Sequence, residues 1–292
     1  MSTEISISNL NQYYGEKHVL KNINLNIKTG MFGLLGSNGA GKTTLMKVLA
    51  TLLPVSQGEV KVCGIPVSKE AQIRKITGYL PQEFSMYANM TVYQAMDYLG
   101  VLSGLTKAER QEKIPALLEK VNLLTKKRVK VKALSGGMKR RLGIAQAILH
   151  DPKVLIVDEP TAGLDAEERV RFRHLLGEIA GDRIVILSTH IIADIEASCE
   201  NIAILEEGKI IYNGTVTDLL KLAEGKIYSA QIKKLDLPMI KEKYSITSMV
   251  TTGNHVSLRL ISDEKPFEGA SICEPGVEDA YMYLVQDKRG EK

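Results

Sequence analysis

The sequence contains no tryptophan, four phenylalanines and three cysteines among its 292 residues. The cysteines, Cys63, Cys199 and Cys273, are far apart and form no C-x-x-C pair. An odd number of scattered cysteines indicates neither a disulfide framework nor a zinc site. The cysteine content is therefore typical of a protein in a reducing, cytosolic setting.

Long hydrophobic runs are also missing. Apolar runs such as VLIV at 154–157 and IVIL at 184–187 are far shorter than the roughly 20 residues of a membrane-spanning helix. The first residues, MSTEISISNL, lack a charged region followed by an apolar one, so we expect no secretory signal. Any role at a membrane would therefore require a partner protein.

A large excess of one charge is absent as well. The chain has 38 Lys and Arg against 34 Asp and Glu, and 44% of its residues are apolar. This composition excludes collagen-like and disordered chains. The last 72 residues hold 11 basic and 11 acidic side chains, so there is no polybasic tail for nucleic acid. The length predicts one large domain with an appendage, or two domains.

Strand and helix patterns alternate along most of the chain. Apolar runs at 31–35, 154–157 and 184–187 predict strands buried on both faces, and the segments between them contain helical spacing. This order predicts an α/β fold with a mainly parallel sheet. Alternating apolar residues at 4–8 and 19–27 instead predict an antiparallel piece at the beginning of the chain.

Two further modules are expected. Helical patterns dominate from about 81 to 149, with a breaker at Pro115 and a basic stretch at 126–132, which indicates an inserted helical subdomain. After residue 223, short alternating segments and the final helical pattern GVEDAYMYLVQD predict a small α+β module. We therefore expect a main domain over 1–223 and an accessory domain over 224–292.

The strongest chemical signal is GSNGAGKTT at 36–44, which matches G-x-x-x-x-G-K-[ST] between a predicted strand and a helical pattern at 42–53. Backbone N–H groups of such a loop wrap phosphate oxygens, while Lys42 reaches the β- and γ-phosphates and Thr43 holds Mg²⁺. The glycine spacing is not GxGxxG, which excludes a Rossmann loop. The expected nucleotide-binding residues are Ser37, Asn38, Gly39, Ala40, Gly41, Lys42, Thr43 and Thr44.

Two acids end the apolar segment KVLIVDE at 153–159. At the end of a strand, Asp158 can hold the water shell of a metal beside Thr43, and Glu159 can polarise an attacking water. Two acids after a buried strand are often only a solvated turn. The phosphate loop favours the functional interpretation here.

The pentapeptide LSGGM at 134–138 precedes another helical pattern and places Ser135 at the N-cap. Taken alone, Gly136 and Gly137 would indicate an ordinary loop. Their position in the chain instead predicts a second helix start that can bind an anion.

The order of these motifs resembles the ATP-binding cassette (ABC) family: the phosphate loop, Gln82 in YLPQ, LSGGM, VLIVDE, AGLD ending at Asp165 and STH ending at His190. The resemblance covers roughly residues 3–220. It implies a RecA-like P-loop NTPase core with ATP and Mg²⁺ as cofactors. It also implies an ATP-dependent dimer, in which Ser135, Gly136 and Gly137 of one copy cover the nucleotide in the phosphate loop of the other.

The resemblance assigns further contacts with the nucleotide. Tyr14 would stack on adenine, although the neighbouring Tyr13 is an alternative. Asp165 would shape the seam of the dimer. Met138 stands where the family more often has Gln, and we expect this difference to have a modest effect on turnover.

The resemblance also assigns the hydrolytic machinery. Gln82 would touch Mg²⁺ and sense the γ-phosphate, Glu159 would be the general base, and His190 would contact the γ-phosphate. Because Glu159 and His190 are both present, a homodimer would have two sites competent for hydrolysis.

The remaining question is whether such an ATPase serves a transporter. The single cassette and the lack of sustained heptads disfavour ribosome-type and chromosome-type relatives. The C-terminal module resembles that of ATPase subunits of bacterial exporters with separate polytopic permeases. We therefore expect a peripheral protein on the cytoplasmic face of the membrane, acting as a homodimer or with a second ABC ATPase.

The alternative is a soluble ABC ATPase that acts on nucleic acid or ribosomes. It rests on a basic cluster: Lys126, Lys127, Arg128, Lys130 and Lys132. The cluster has no interleaved aromatic residues, so a solvated loop near anionic lipid or a partner is the preferred interpretation. We therefore expect no nucleic-acid partner.

Overall fold

The computed structural model describes residues 3–290, which divide after Asn213 into two compact units. The sequence predicted the division ten residues later, after residue 223. In the structure, the helix at Val216–Leu222 belongs to the second unit because it packs against the last helix of the chain.

The first unit begins with an antiparallel sheet of four strands, numbered with all other elements in chain order. The strands lie side by side as β2-β1-β4-β5. Their bounds are Glu4–Tyr14 for β1, Lys17–Lys28 for β2, Gln57–Val62 for β4 and Ile65–Pro66 for β5. Alternating buried side chains in β1 and β2 confirm the predicted antiparallel piece.

The second sheet of this unit has six strands in the order β10-β9-β3-β8-β7-β6. The strands are β3 (Gly30–Leu35), β6 (Thr77–Leu80), β7 (Val154–Asp158), β8 (Ile184–Thr189), β9 (Asn201–Glu206) and β10 (Lys209–Thr215). The pairs β6–β7, β7–β8, β8–β3 and β3–β9 are parallel. Every residue of β7 and β8 is buried, as expected for strands of a sheet that is covered on both faces. The predicted α/β class is therefore confirmed.

Four helices accompany these sheets: α1 (Lys42–Leu49), α2 (Glu70–Ile76), α6 (Ala166–Ala180) and α7 (Ile192–Ser198). The first ends four residues earlier than predicted. Thr51 adopts a left-handed φ of 57°, and the N–H groups of Leu52 and Leu53 both donate to the Lys47 carbonyl. This turn ends α1 although the apolar spacing continues.

Three helices lie between β6 and β7: α3 (Val92–Leu102), α4 (Lys107–Lys120) and α5 (Gly136–Ala147). Thr91 and Thr106 open α3 and α4 with capping boxes. Pro115 lies inside α4 and does not break it, because the buried side chains of Ile114 and Leu118 anchor the helix on both sides. The predicted helical insertion is confirmed as part of the fold.

The second unit is an α+β module, as predicted. Its antiparallel sheet has the order β12-β13-β11-β14. The elements are α8 (Val216–Leu222), β11 (Ile227–Lys233), α9 (Leu237–Lys243), β12 (Ser245–Thr252), β13 (His255–Ile261), β14 (Ser271–Ile272) and α10 (Val277–Gly290). Tyr228, Leu258 and Leu260 form its core with Ile240 of α9.

None of the helices described between residues 3 and 290 combines the length and hydrophobicity needed to cross a bilayer. This agrees with the absence of long apolar runs in the sequence.

A buried carboxylate holds α10 on the sheet of the second unit. Asp279 is 4% exposed and accepts hydrogen bonds from Thr247 and from Arg259, whose Nη2 lies 2.6 Å from Oδ2. The Gly276 N–H also donates to Asp279, at 2.8 Å, which satisfies an amide before the first turn of α10. Burial acts to raise the pKa of Asp279, but these hydrogen bonds outweigh it and hold the pKa below the ordinary 3.8.

We predict that Asp279→Asn lowers the free energy of unfolding of this unit by about 2 kcal/mol near pH 7, because charge-assisted hydrogen bonds are lost. The folded-state pKa is depressed, so the contribution is complete above the unfolded-state pKa and disappears as the pH falls through the folded-state pKa. The difference between the two proteins should therefore be constant down to about pH 5 and shrink below about pH 4. Amide hydrogen exchange in β13 measures it.

The matched control is Asp263→Asn. Asp263 also pairs with a cation, Lys226, at 2.8 Å, but its side chain is 80% exposed. A solvent-screened pair of this kind contributes little. Equal effects of the two substitutions on β13 exchange would contradict the role given to Asp279.

Candidate functional site

A glycine-rich loop joins β3 to α1, and its backbone conformation requires glycine at two positions. Gly39 has a φ of 84° and Gly41 a φ of 112°, in the region that L side chains rarely adopt. A Cβ at Gly41 would also lie 2.8 Å from Leu20 Cδ2. The segment therefore forms a glycine-rich loop between a strand and the start of α1, as the sequence predicted.

Lys42, the first residue of α1, is buried and folds back over this loop. Its Nζ donates to the carbonyls of Gly36 at 2.7 Å and Ser37 at 3.2 Å. The same atom lies 3.1 Å from Glu159 Oε1. A buried ammonium group is thus fixed at the mouth of a loop whose N–H groups suit phosphate.

Asp158 ends β7 and is completely buried. Burial is the largest influence on the pKa of this carboxyl and raises it, and the nearby hydroxyls of Thr43 and Ser188 offset this only in part. Both carboxylate oxygens lack a hydrogen-bond partner among residues 3–290. Buried carboxylate oxygens without a partner, next to a threonine hydroxyl, fit the ligand preference of Mg²⁺.

No group of three or more His, Cys, Asp or Glu side chains that could hold a metal occurs in the described part of the chain. A magnesium ion at Asp158 and Thr43 would therefore take its other ligands from phosphates and water, which is how Mg²⁺ is often held beside nucleotides.

Glu159 lies between two cationic or potentially cationic groups. Its Oε2 is 2.7 Å from His190 Nδ1, and its Oε1 faces Lys42. The backbone of Glu159 has a φ of 47°, in the left-handed region, while its N–H donates to the Ser188 carbonyl of β8 at 2.9 Å. Non-glycine residues in this region are concentrated at functional sites. Parallel pairing of β7 and β8 brings Glu159 and His190 together.

An open cleft of about 600 Å³ lies over the phosphate loop. Its lining includes the predicted residues Tyr14, Asn38, Gly39, Gly41, Lys42, Thr43, Thr44, Gln82 and Glu159. Lys17 and Val19 line it as well and were missed, since nothing distinguishes them in the sequence except their closeness to Tyr14. Ser37 and Ala40 belong to the same loop but not to the lining of the cleft.

The structure distinguishes the two neighbouring tyrosines. Tyr14 is 46% exposed and lines the cleft. Tyr13 stacks on His18 instead, with ring centroids 4.3 Å apart and planes inclined by 16°. Of the two tyrosines, Tyr14 is therefore the one that lines the cleft.

Asp158 and His190 do not line the cleft, although both adjoin Glu159, which does. Ser135, Gly136, Gly137 and Asp165, which were predicted to act across a dimer, are not part of the lining either. Each lies at a helix start. Ser135 caps α5 by accepting from the Met138 N–H at 3.2 Å, and Asp165 caps α6 by accepting from the Glu168 N–H at 2.8 Å.

Sequence reasoning also missed a buried polar network beside Glu159. Thr161 Oγ1 donates to Asp194 Oδ2 at 2.5 Å, and Arg173 Nη1 donates to Asp194 Oδ1 at 3.3 Å. The network ties the turn after Glu159 to α7, which follows His190. These residues are 12 to 33 positions apart in the chain, so no local motif could have revealed them.

A second missed contact reaches the phosphate loop. Ser37 Oγ donates to Glu206 Oε2 at 2.9 Å. Because β9 lies next to β3, its last residue is brought to the loop that follows β3. The contact links residues 169 positions apart, which sequence spacing cannot predict.

Together, these groups can bind a polyphosphate and polarise a water molecule. The loop and Lys42 supply donors for phosphate oxygens, Asp158 and Thr43 supply metal ligands, and Glu159 supplies a proton acceptor. This combination is that of a nucleoside triphosphatase.

Comparisons with known proteins agree with this geometry. The family model described as ABC transporter matches residues 20–162. The uncharacterised ABC transporter ATP-binding protein YxlF of Bacillus subtilis is 35% identical over 247 residues, which cover 84% of this chain and 82% of the relative. The linearmycin resistance ATP-binding protein LnrL of Bacillus subtilis is also 35% identical, covering 74% of this chain and 70% of the relative. Nod factor export ATP-binding protein I of Cupriavidus metallidurans is 33% identical, with 80% of each chain covered.

Solved structures give the same result. The cbiO1 protein from Clostridium perfringens, part of the ABC transporter complex cbiONQ, has a TM-score of 0.69 and is 28% identical, covering 83% of this chain and 98% of that chain. The fold is that of the P-loop ATPases. From the sequence relationship over most of its length, the chain belongs to the ABC transporter family and is an ATP-binding subunit that hydrolyses ATP.

Proposed function

We propose that this protein is the ATPase of an exporter, that it binds to a separate polytopic permease at the cytoplasmic face of the membrane, and that it works as a dimer. The observation that carries the proposal is the contact of the buried Glu159 carboxylate with both Lys42 and His190 at the edge of the parallel sheet. This arrangement supports ATP hydrolysis, and the relatives' names support transport.

In the proposed reaction, the phosphate loop and Lys42 hold the β- and γ-phosphates of ATP. Binding of the γ-phosphate draws Lys42 away from Glu159, which leaves this carboxylate free to accept a proton from water. His190 lies 2.7 Å from Glu159 through Nδ1 before ATP binds, and its single N–H would turn to a γ-phosphate oxygen when ATP is bound. Mg²⁺ held by Asp158 and Thr43 would neutralise developing charge on the phosphates. Gln82, which is exposed and lines the cleft, would sense the γ-phosphate.

A second copy would complete the site. Glycine at 136 has no explanation within its own chain, since no positive φ is recorded there and a Cβ would have nothing within 4 Å. By contrast, a Cβ at Gly137 would lie 2.4 Å from Glu168 Oε2. Close approach of another molecule would account for a glycine at 136. We therefore propose that Ser135, Gly136 and Gly137 of one copy cover the ATP bound by the other, with Asp165 at the seam.

A groove of about 590 Å³ beside the helical insertion suits the permease. It is lined by Phe84, Met86, Tyr87 and Leu99, which are aromatic or apolar side chains on a loop and on α3. Gln82 precedes this loop directly. A permease segment bound in the groove could therefore respond to the occupancy of the ATP site through Gln82.

Export is supported by two relatives, one named for linearmycin resistance and one for Nod factor export. The alternative, a soluble ATPase acting on nucleic acid or ribosomes, rests only on the basic cluster. The similar proteins described above are named as subunits or ATP-binding proteins of transporters, which favours the transporter.

We predict that Glu159→Gln lowers the turnover of ATP by about 10² to 10⁴-fold while ATP binding persists, because the amide keeps the shape but cannot accept the proton. Steady-state hydrolysis and equilibrium nucleotide binding measure the two effects. Glu167→Gln, an exposed residue of α6, is the matched control. Wild-type turnover in the Glu159 variant would rule out the general-base role.

Substitution of the buried ammonium should act on binding itself. Lys42→Ala removes charge-assisted hydrogen bonds to phosphate, so we expect ATP affinity to fall by about 10 to 100-fold. Titration with a fluorescent ATP analogue measures the change. Lys47→Ala, on the same helix but outside the cleft, is the control. An unchanged dissociation constant in the Lys42 variant would contradict the proposed phosphate contact.

Purification of the tagged chain from detergent-solubilised native cells should recover a polytopic membrane protein, identified by mass spectrometry. Met86→Glu should reduce this recovery, because a charge in the groove opposes apolar docking. Leu235→Glu, at a residue 90% exposed in the second unit, is the control. Recovery of ribosomes or DNA without any membrane protein would favour the alternative function.

A further inference from the structure

The segment KKRVKVK at 126–132 contains five cations in seven residues. They are all exposed: Lys126, Lys127, Arg128, Lys130 and Lys132. The structure gives none of these five side chains a hydrogen bond or an ion pair with any residue between 3 and 290. The segment therefore presents charges that its own unit leaves unneutralised.

The backbone of this segment is held firmly against the start of α3. The Lys127 and Val129 carbonyls accept from the Tyr93 and Val92 N–H groups, at 3.0 and 2.9 Å. The Lys132 N–H donates to the Ala88 carbonyl at 3.0 Å. These backbone hydrogen bonds make the segment an ordered part of the helical insertion.

Within the segment, apolar and basic residues face different environments. Val131 is 3% exposed and Val129 is half-buried, whereas Arg128, Lys130 and Lys132 at alternating positions are exposed. The valine side chains pack into the insertion, and the basic side chains beside them are exposed to solvent.

The charge is also concentrated relative to the rest of the chain. Residues 81–149 carry 12 Lys and Arg against 5 Asp and Glu, while the whole chain has an excess of only four. The remaining residues are therefore net acidic. The patch is a local feature and does not follow from a generally basic composition.

Exposed aromatic side chains lie close to this patch through the backbone pairing. Tyr87, next to Ala88, is 46% exposed and meets Tyr98 edge to face, with ring centroids 5.0 Å apart. Cations beside amphipathic aromatic rings are typical of surfaces that contact the headgroup region of a membrane.

We propose that segment 126–132 binds anionic lipid headgroups, with lipid phosphates as acceptors for its five cations. These basic side chains are long, flexible and unpaired, and they do not line a shaped pocket. Such side chains suit the diffuse negative charge of an anionic membrane surface. The segment has no aromatic residue of its own for base stacking, which disfavours single-stranded nucleic acid. The proposal extends the proposed location at the membrane, but its test needs neither a permease nor ATP hydrolysis.

The test uses the purified full-length protein and flotation with vesicles. One set is pure phosphatidylcholine, and the other is an equal mixture with phosphatidylglycerol. We expect binding to the anionic set only, weakened strongly by raising NaCl because salt screens exposed charges. Each cation near an anionic surface contributes about fivefold in partitioning, so the combined K126Q, K127Q, R128Q, K130Q and K132Q variant should bind at least about 100-fold more weakly.

Two further variants separate local charge from other causes. The combined K69Q, K209Q, K233Q, K241Q and K265Q variant changes net charge equally at exposed lysines outside the segment, and it should bind like the wild type. The combined K126R, K127R, R128K, K130R and K132R variant keeps every charge and should also bind. ATPase activity of the glutamine cluster variant should be unchanged, because none of its five positions lines the ATP cleft.

Equal binding of the wild type to both vesicle sets would overturn the proposal. So would normal vesicle binding by the cluster variant, or an equal loss in the dispersed-lysine control. The wild type could also fail to bind either vesicle set while the cluster variant loses RNA binding or permease recovery. In that case the segment binds RNA or the permease, and the lipid proposal is wrong. ATP hydrolysis and permease recovery by the wild type are measured separately, so failure here leaves the proposed function testable.

Discussion

The site depends on one constraint: two adjacent carboxylates are buried at the end of β7. Asp158 is completely buried and Glu159 is 3% exposed. Buried charges are costly unless they are paired or bound to a metal. Lys42 and His190 face Glu159, while the oxygens of Asp158 have no hydrogen-bond partner in the described chain. The same constraint makes the end of β7 suited to a cation and to a polyphosphate.

The parallel sheet explains why these groups meet. The phosphate loop follows β3, Glu159 follows β7 and His190 follows β8, and these strands are parallel neighbours in the order β3-β8-β7. Their carboxyl ends therefore share one edge, where functional groups collect in such sheets. Hydrogen bonds between residues far apart in the chain also stabilise this edge, including Ser37 with Glu206 and Thr161 with Asp194. The helical insertion lies between β6 and β7 in the chain, so Gln82 connects the core strands directly to the surface proposed for the permease.

Most of the core was predictable because its signals are local. Apolar runs flanked by turn residues identified β3, β7 and β8, and the glycine-rich loop identified the start of α1. The structure differs from the local sequence pattern where tertiary contacts override it. The left-handed turn at Thr51 ends α1 early, Pro115 is held inside α4 by buried neighbours, and α8 belongs to the second unit because it packs on α10.

The sequence by itself determined the chemistry: a phosphate loop, an acidic strand end and a second helix start in an order shared with the ABC family. These motifs depend on short stretches whose backbone needs are local, such as glycine at 39 and 41. Only the tertiary structure decided which tyrosine lines the cleft and which cation faces Glu159. It also decided that the five cations of 126–132 have no hydrogen-bond or ion-pair partner among residues 3–290. Those outcomes depend on side-chain contacts between residues far apart in the chain, and no spacing rule contains that information.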